Sequence, residues 1–129
     1  MKQILTTVFI TLSLFSCTKE NDASIVGVWI ETSVYSRDNT GNYYWSGAPR
    51  FPYILKLNGD GTFSGWQCYS TGHGVYQYDH ASRQIKLQDI PSGSINTISV
   101  SDLDDDHLIL DYGITSMGEF KIKFIRYEY

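Results

Sequence analysis

What most restricts the fold of this chain is its punctuation. From residue 53 onward, turn-forming clusters break the sequence at short intervals, and no run of ten or more residues carries a helical period. Asn58-Gly59-Asp60-Gly61 is a strong hairpin turn, because glycine and Asn/Asp accept positive φ. Residues 70–74, 79–82, 91–93, 104–106 and 113–118 supply further breaks. Between and before them lie eight strand-like runs, at 25–36, 53–57, 62–69, 75–78, 84–88, 95–103, 107–112 and 119–127. An aromatic content of 15%, with ten tyrosines, suits strands better than helices. Eight strands joined by short turns predict an all-β fold, an eight-stranded antiparallel up-and-down β-barrel, in which closure removes the sheet edges. A sandwich would need crossover connections, and these turns are too short for them. The length of 129 residues fits one such domain, over 25–129.

The last run sorts its faces cleanly. Phe120, Ile122, Phe124 and Arg126 share one side, and Lys121, Lys123, Ile125 and Tyr127 the other. An arginine on the apolar side needs a partner, and an indole is a good one. The first run offers Trp29, but its faces conflict. Val28, Ile30 and Val34 share one parity, whereas Trp29, Glu31, Ser33 and Tyr35 share the other. If Trp29 turns inward, Glu31 and Ser33 follow unless a bulge intervenes, and their facing stays open.

The interior is the one plausible binding site. Its candidate ligand-binding residues are Tyr53, Leu55, Phe63, Tyr76, Tyr78, Leu108, Leu110, Phe120, Ile122 and Phe124. An eight-stranded barrel is wide enough either to be packed solid or to hold one small ligand, and both stay open. The long connection 37–52 carries Tyr43-Tyr44-Trp45, which is either a lid over the barrel or a contact surface.

Ahead of the barrel, Lys2 and the mostly apolar run 4–15 read as a signal peptide, residues 1–16, too short to span a bilayer as a stable helix. Leu14-Phe15-Ser16-Cys17 resembles a bacterial lipobox, in which the cysteine is lipidated and becomes the new N-terminus. The competing reading is an ordinary secretory signal with an incidental cysteine. Residues 17–24 then form the lipidated N-terminus and a polar tether, with acyl chains such as palmitate on Cys17 holding the protein to a bilayer. Lys19-Glu20-Asn21-Asp22 resembles the surface-export segment of Bacteroidetes-type lipoproteins. With Cys17 acylated, Cys68 has no disulfide partner.

Gly27-Val28-Trp29, the hairpin at 57–63 and Phe124-Ile125-Arg126-Tyr127 together resemble the lipocalin-like domain of small bacterial lipoproteins, over roughly 25–127. The resemblance implies that Gly27, Trp29 and Arg126 close the barrel floor. It also implies that the loop carrying Tyr43, Tyr44 and Trp45 is the lid. The chain departs from typical lipocalins in lacking their trailing helix and their disulfide, which weakens the transport function more than the fold.

Other chemistries find little support. A net charge of −4 argues against nucleic acid, which needs a basic surface. Cys68 and His73 would form a nucleophilic pair only if brought together with an orienting group. Asp102, Asp104, Asp105 and Asp106 with His107 lack the spacing of a calcium loop and read as a solvated turn. The expectation is therefore a non-enzymatic protein without metal or cofactor. It would be anchored to the outer membrane in the cell envelope, and would bind a small apolar or amphipathic molecule. The alternative is an envelope interaction module whose aromatic loop binds a protein or glycan.

Overall fold

The computed structural model describes residues 24–67, 70–116 and 118–127. The segment read as a signal peptide, Cys17, most of the segment read as a tether, and Cys68 lie outside the described residues. Those described form nine strands and no helix: β1 Gly27–Arg37, β2 Tyr43–Trp45, β3 Ile54–Leu57, β4 Thr62–Gln67, β5 Ser70–Asp79, β6 Gln84–Asp89, β7 Ile95–Leu103, β8 His107–Thr115 and β9 Gly118–Arg126. Each pairs antiparallel with its neighbour in the order β9-β8-β7-β6-β5-β4-β3-β1-β2, and β9 pairs back to β1. Eight strands thus close into the expected barrel. The ninth, β2, is the middle of the long connection 37–52, folded back as a short hairpin on the upper half of β1.

The turns hold by one recurring device. At 58–62, the Asp60 carboxylate accepts hydrogen bonds from the Thr62 amide (3.0 Å) and hydroxyl (2.6 Å), while Gly61 takes a φ of 89°. Asp38, Asp79, Asp89 and Asp104 cap their own loops in the same way. The acidic run 104–106 is therefore a turn with Asp104 as its cap.

One expected turn is absent. Residues 70–74 belong to β5 and pair with β4 through Gln67↔Ser70, Trp66↔Thr71 and Gly65↔Gly72. Glycines here answer a need for space: a Cβ on Gly74 would run into the Gln88 carbonyl, and one on Gly65 of the paired β4 into the Tyr53 ring. Strand β8 likewise runs three residues past its expected end, to Thr115.

The conflict of faces in β1 is resolved by a bulge. Ser33 stands opposite Lys123 but Glu31 stands opposite Phe124, so Thr32 is the extra residue. Below it Trp29 and Glu31 face inward; above it Val34 pairs with the inward Ile122, and Tyr35 turns outward with Lys121.

Candidate functional site: the barrel interior

The interior is built in layers, and the lowest is sealed. Trp29 is fully buried, and its Nε1 donates to the Ile25 carbonyl at 2.9 Å. The Arg126 guanidinium lies 4.2 Å from the centre of the indole system. It donates to three carbonyls: Asp105 through Nε (2.6 Å), Val26 through Nη1 (2.7 Å) and Ser24 through Nη2 (2.7 Å). A cation stacked on an indole and satisfied by backbone oxygens needs no carboxylate. Gly27, at φ 152°, lies so close that a Cβ would collide with Arg126 Nη1. The three residues therefore form one contact unit, tying the chain's entry to the turn at 104–106.

Above this floor, Leu55, Phe63, Leu108, Leu110 and Phe124 are all buried in one cluster with Leu57, Ile85, Ile98 and Val100. Tyr76 and Tyr78 are half-buried against that cluster. The Tyr76 hydroxyl donates to the Asn58 carbonyl (2.7 Å), and the Tyr78 ring meets His80 at 4.7 Å. These seven candidate ligand-binding residues are part of the packed lower barrel.

The upper interior differs. Tyr53, Phe120 and Ile122 are half-buried, and Tyr112 is 39% exposed. A second bulge shapes this end: Gly113 stands opposite Phe120 and Asp111 opposite Lys121, leaving Tyr112 as the extra residue. Gly113 takes the φ of 74° that the bulge requires. The Tyr112 and Phe120 rings meet edge-on at 5.5 Å, and those of Tyr53 and Phe124 at 6.5 Å. Glu31, 8% exposed, accepts the Tyr53 amide at Oε1 (2.9 Å). Burial pushes up the Tyr53 phenol. The Tyr112 phenol is pushed up to about 12, first by burial and then by the charges of Tyr53 and Glu31.

Glu31 and Tyr112 are the residues that the list of lining positions leaves out. A hint of each was present. The parity conflict around Trp29 signals a bulge, and Tyr112 is in phase with Leu108 and Leu110 just before a glycine.

The aromatic stretch sits mainly on the outside. Tyr43 and Trp45 pack against Tyr35 at 5.4 and 5.3 Å, with Lys121 Nζ 5.3 Å from the Tyr35 ring centre. The Tyr43 hydroxyl accepts the Glu119 amide (3.0 Å). Tyr44 alternates to the other face of β2 and is 52% exposed. On the same outer wall, Ile125, Ile30, Ile54 and Trp66 pair in succession across β9, β1, β3 and β4. They adjoin a shallow groove of about 460 Å³.

Among the described residues no group of three or more His, Cys, Asp or Glu side chains could hold a metal ion. His73 stands in β5 opposite Ser64.

No protein-family model matches the chain. A search of curated proteins returns no match. Among solved structures, a DUF4847 family protein from Bacteroides vulgatus ATCC 8482 is similar over 87% of this chain and 99% of its own, at 18% sequence identity and a TM-score of 0.50. At that identity the likeness is one of fold: the chain shares its barrel architecture with a small Bacteroides protein.

Proposed function

We propose that this protein is a lipid-anchored, lipocalin-like barrel of the cell envelope that takes a small apolar or amphipathic molecule into its upper interior, without enzymatic chemistry. The gradient of burial carries this reading. Lower-layer residues such as Trp29, Leu108 and Phe124 are at most 1% exposed, whereas Tyr112 near the opposite end is 39% exposed. A barrel packed solid for its own stability would seal both ends. The anchor reading is supported by the lipobox-like Cys17. Ser24 bonds to Arg126 at the sealed floor, so a tether joined there would put the floor rather than the accessible end nearest the bilayer.

Two experiments test this. Ile122→Trp, which fills the upper interior, should abolish uptake of an apolar fluorescent probe while circular dichroism stays that of a folded β protein. Undiminished uptake by a folded Ile122→Trp protein would overturn the binding site. Cys17→Ala should move the protein from the membrane fraction to the soluble one, and unchanged membrane partition would overturn the anchor.

A second reading is favoured by the exposure of Tyr43, Tyr44 and Trp45, at 38, 52 and 41%. These could anchor a protein or glycan, as aromatic residues commonly do. Tyr44→Ala with Trp45→Ala would then remove partner binding, while Ile122→Trp would leave it intact.

A further inference from the structure

Three polar atoms in the upper barrel make no hydrogen bond among the described residues. Glu31 is more than nine-tenths buried, yet only Oε1 is used, by the Tyr53 amide. Oε2 has no hydrogen bond or ion pair among the described residues. Among the described residues no cation of the surrounding strands forms an ion pair with it. Lys121 lies outside, over Tyr35, and Lys123 alternates outward between Ile122 and Phe124. Arg126 is spent at the floor on the indole and three carbonyls. The hydroxyls of Tyr53 and Tyr112 likewise make no hydrogen bond among the described residues. Native interiors leave few such groups unsatisfied, and an unpaired carboxylate is the most costly kind.

The surroundings narrow what could satisfy it. A carboxylate repels anions. A single carboxylate is a poor site for a hard divalent cation, which takes six or more oxygens. Tyr112 interacts electrostatically with Glu31 and Tyr53 and packs on Phe120, so the upper interior is aromatic, and aromatic faces attract organic cations. We propose that Glu31 receives the protonated amine of an amphipathic ligand that enters amine-first, with Tyr53 and Tyr112 beside the charged group and Phe120 and Ile122 against its apolar portion. The inference rests on the barrel-binding reading above and adds the ligand's chemical class. One ammonium N–H would bond to the free Glu31 oxygen as a charge-assisted hydrogen bond, and the others could reach the phenol oxygens.

The test compares n-octylamine with n-octanol, two probes of equal chain length, titrated into the full chain by calorimetry. The amine should bind about ten- to a hundredfold more tightly than the alcohol, the range expected of a hydrogen bond to a charged group. Glu31→Gln keeps an oxygen for the Tyr53 amide and removes the charge. It should erase the amine's advantage and leave alcohol binding unchanged. Equal affinity of both probes for the unaltered chain would overturn the amine site while leaving the barrel-binding reading in place. Failure of both probes to bind would overturn both. Retention of the amine's advantage in Glu31→Gln would overturn the assignment to Glu31. The comparison on the unaltered chain decides the ligand class even if the variant does not fold, and Tyr112→Leu, at a partly exposed position, then probes the site by weakening amine binding more than alcohol binding.

Discussion

Replacing Trp29 by alanine removes the largest fully buried side chain of the barrel. Loss of a buried indole and the cavity it leaves cost about 3–5 kcal/mol. Arg126 suffers as well, since its guanidinium loses the aromatic face 4.2 Å away, a contact worth about 0.5–2 kcal/mol. Its three bonds to the carbonyls of Ser24, Val26 and Asp105 do not pass through the indole and should survive. Arg126→Leu has the opposite pattern: the indole stays, but three backbone oxygens lose their donors, for roughly 2–4 kcal/mol. Because each single variant deletes the same stacked contact, that contact is counted twice when the singles are added. The double variant should therefore cost less than the sum by about 1–2 kcal/mol. Equilibrium urea unfolding of all four proteins measures this, provided the slope against denaturant is shared. Strict additivity would refute the claim that cation and indole act as a unit. A double variant worse than the sum would show that each residue partly compensates for loss of the other.

Three further outcomes are expected. Gly65→Val should displace the Tyr53 ring, since even a Cβ there meets it; overpacking of this kind costs about 1–3 kcal/mol and would lower the thermal midpoint. The Tyr112 phenol, raised from 10.0 to about 12, favours the folded state in its protonated form. That contribution is complete below pH 10 and is lost as pH rises through about 12. Phenolate absorbance should show a tyrosine titrating last, at about 12, that disappears in Tyr112→Phe. Asp60, held below its ordinary value of 3.8 first by the Thr62 hydroxyl and then by its amide, contributes stability above that value. The contribution is lost as pH falls through the lower folded value, so Asp60→Ala should make the acid-side decline in thermal midpoint shallower.

The strand count was legible because the turns announce themselves: an Asx cap such as Asp60 or Asp104 beside a glycine or a polar run is a local signal. The glycines of 70–74 carry the same letters for another reason. Gly72 stands opposite Gly65 across two strands, and Gly74 approaches the Gln88 carbonyl. Such closeness belongs to the folded barrel and has no local trace. The apolar lining was readable from alternation, as Leu108 and Leu110 or Phe120, Ile122 and Phe124 show. The polar part of the candidate site was not. Its two key residues, Glu31 and Tyr112, sit beside bulges whose positions depend on the register of β9 against both neighbours. One strand read by itself cannot say where a partner slips by a residue.

The seam between β1 and β9 also bears on when this chain can fold. The other barrel pairings join successive strands, or β1 to β3 across the connection that carries β2, but this one joins residues 29–35 to 121–126. Bringing such distant segments together is entropically costly and slow compared with forming the hairpins. Arg126 stands at the end of β9, and its side chain clamps Ser24 and Val26 at the start of the described barrel. A growing chain can therefore assemble its hairpins from β3 to β8 early, but it must remain an open, edge-exposed sheet until its last strand is complete. Loss of β9 would stop it there, with the unpaired edge of β1 exposed to other chains.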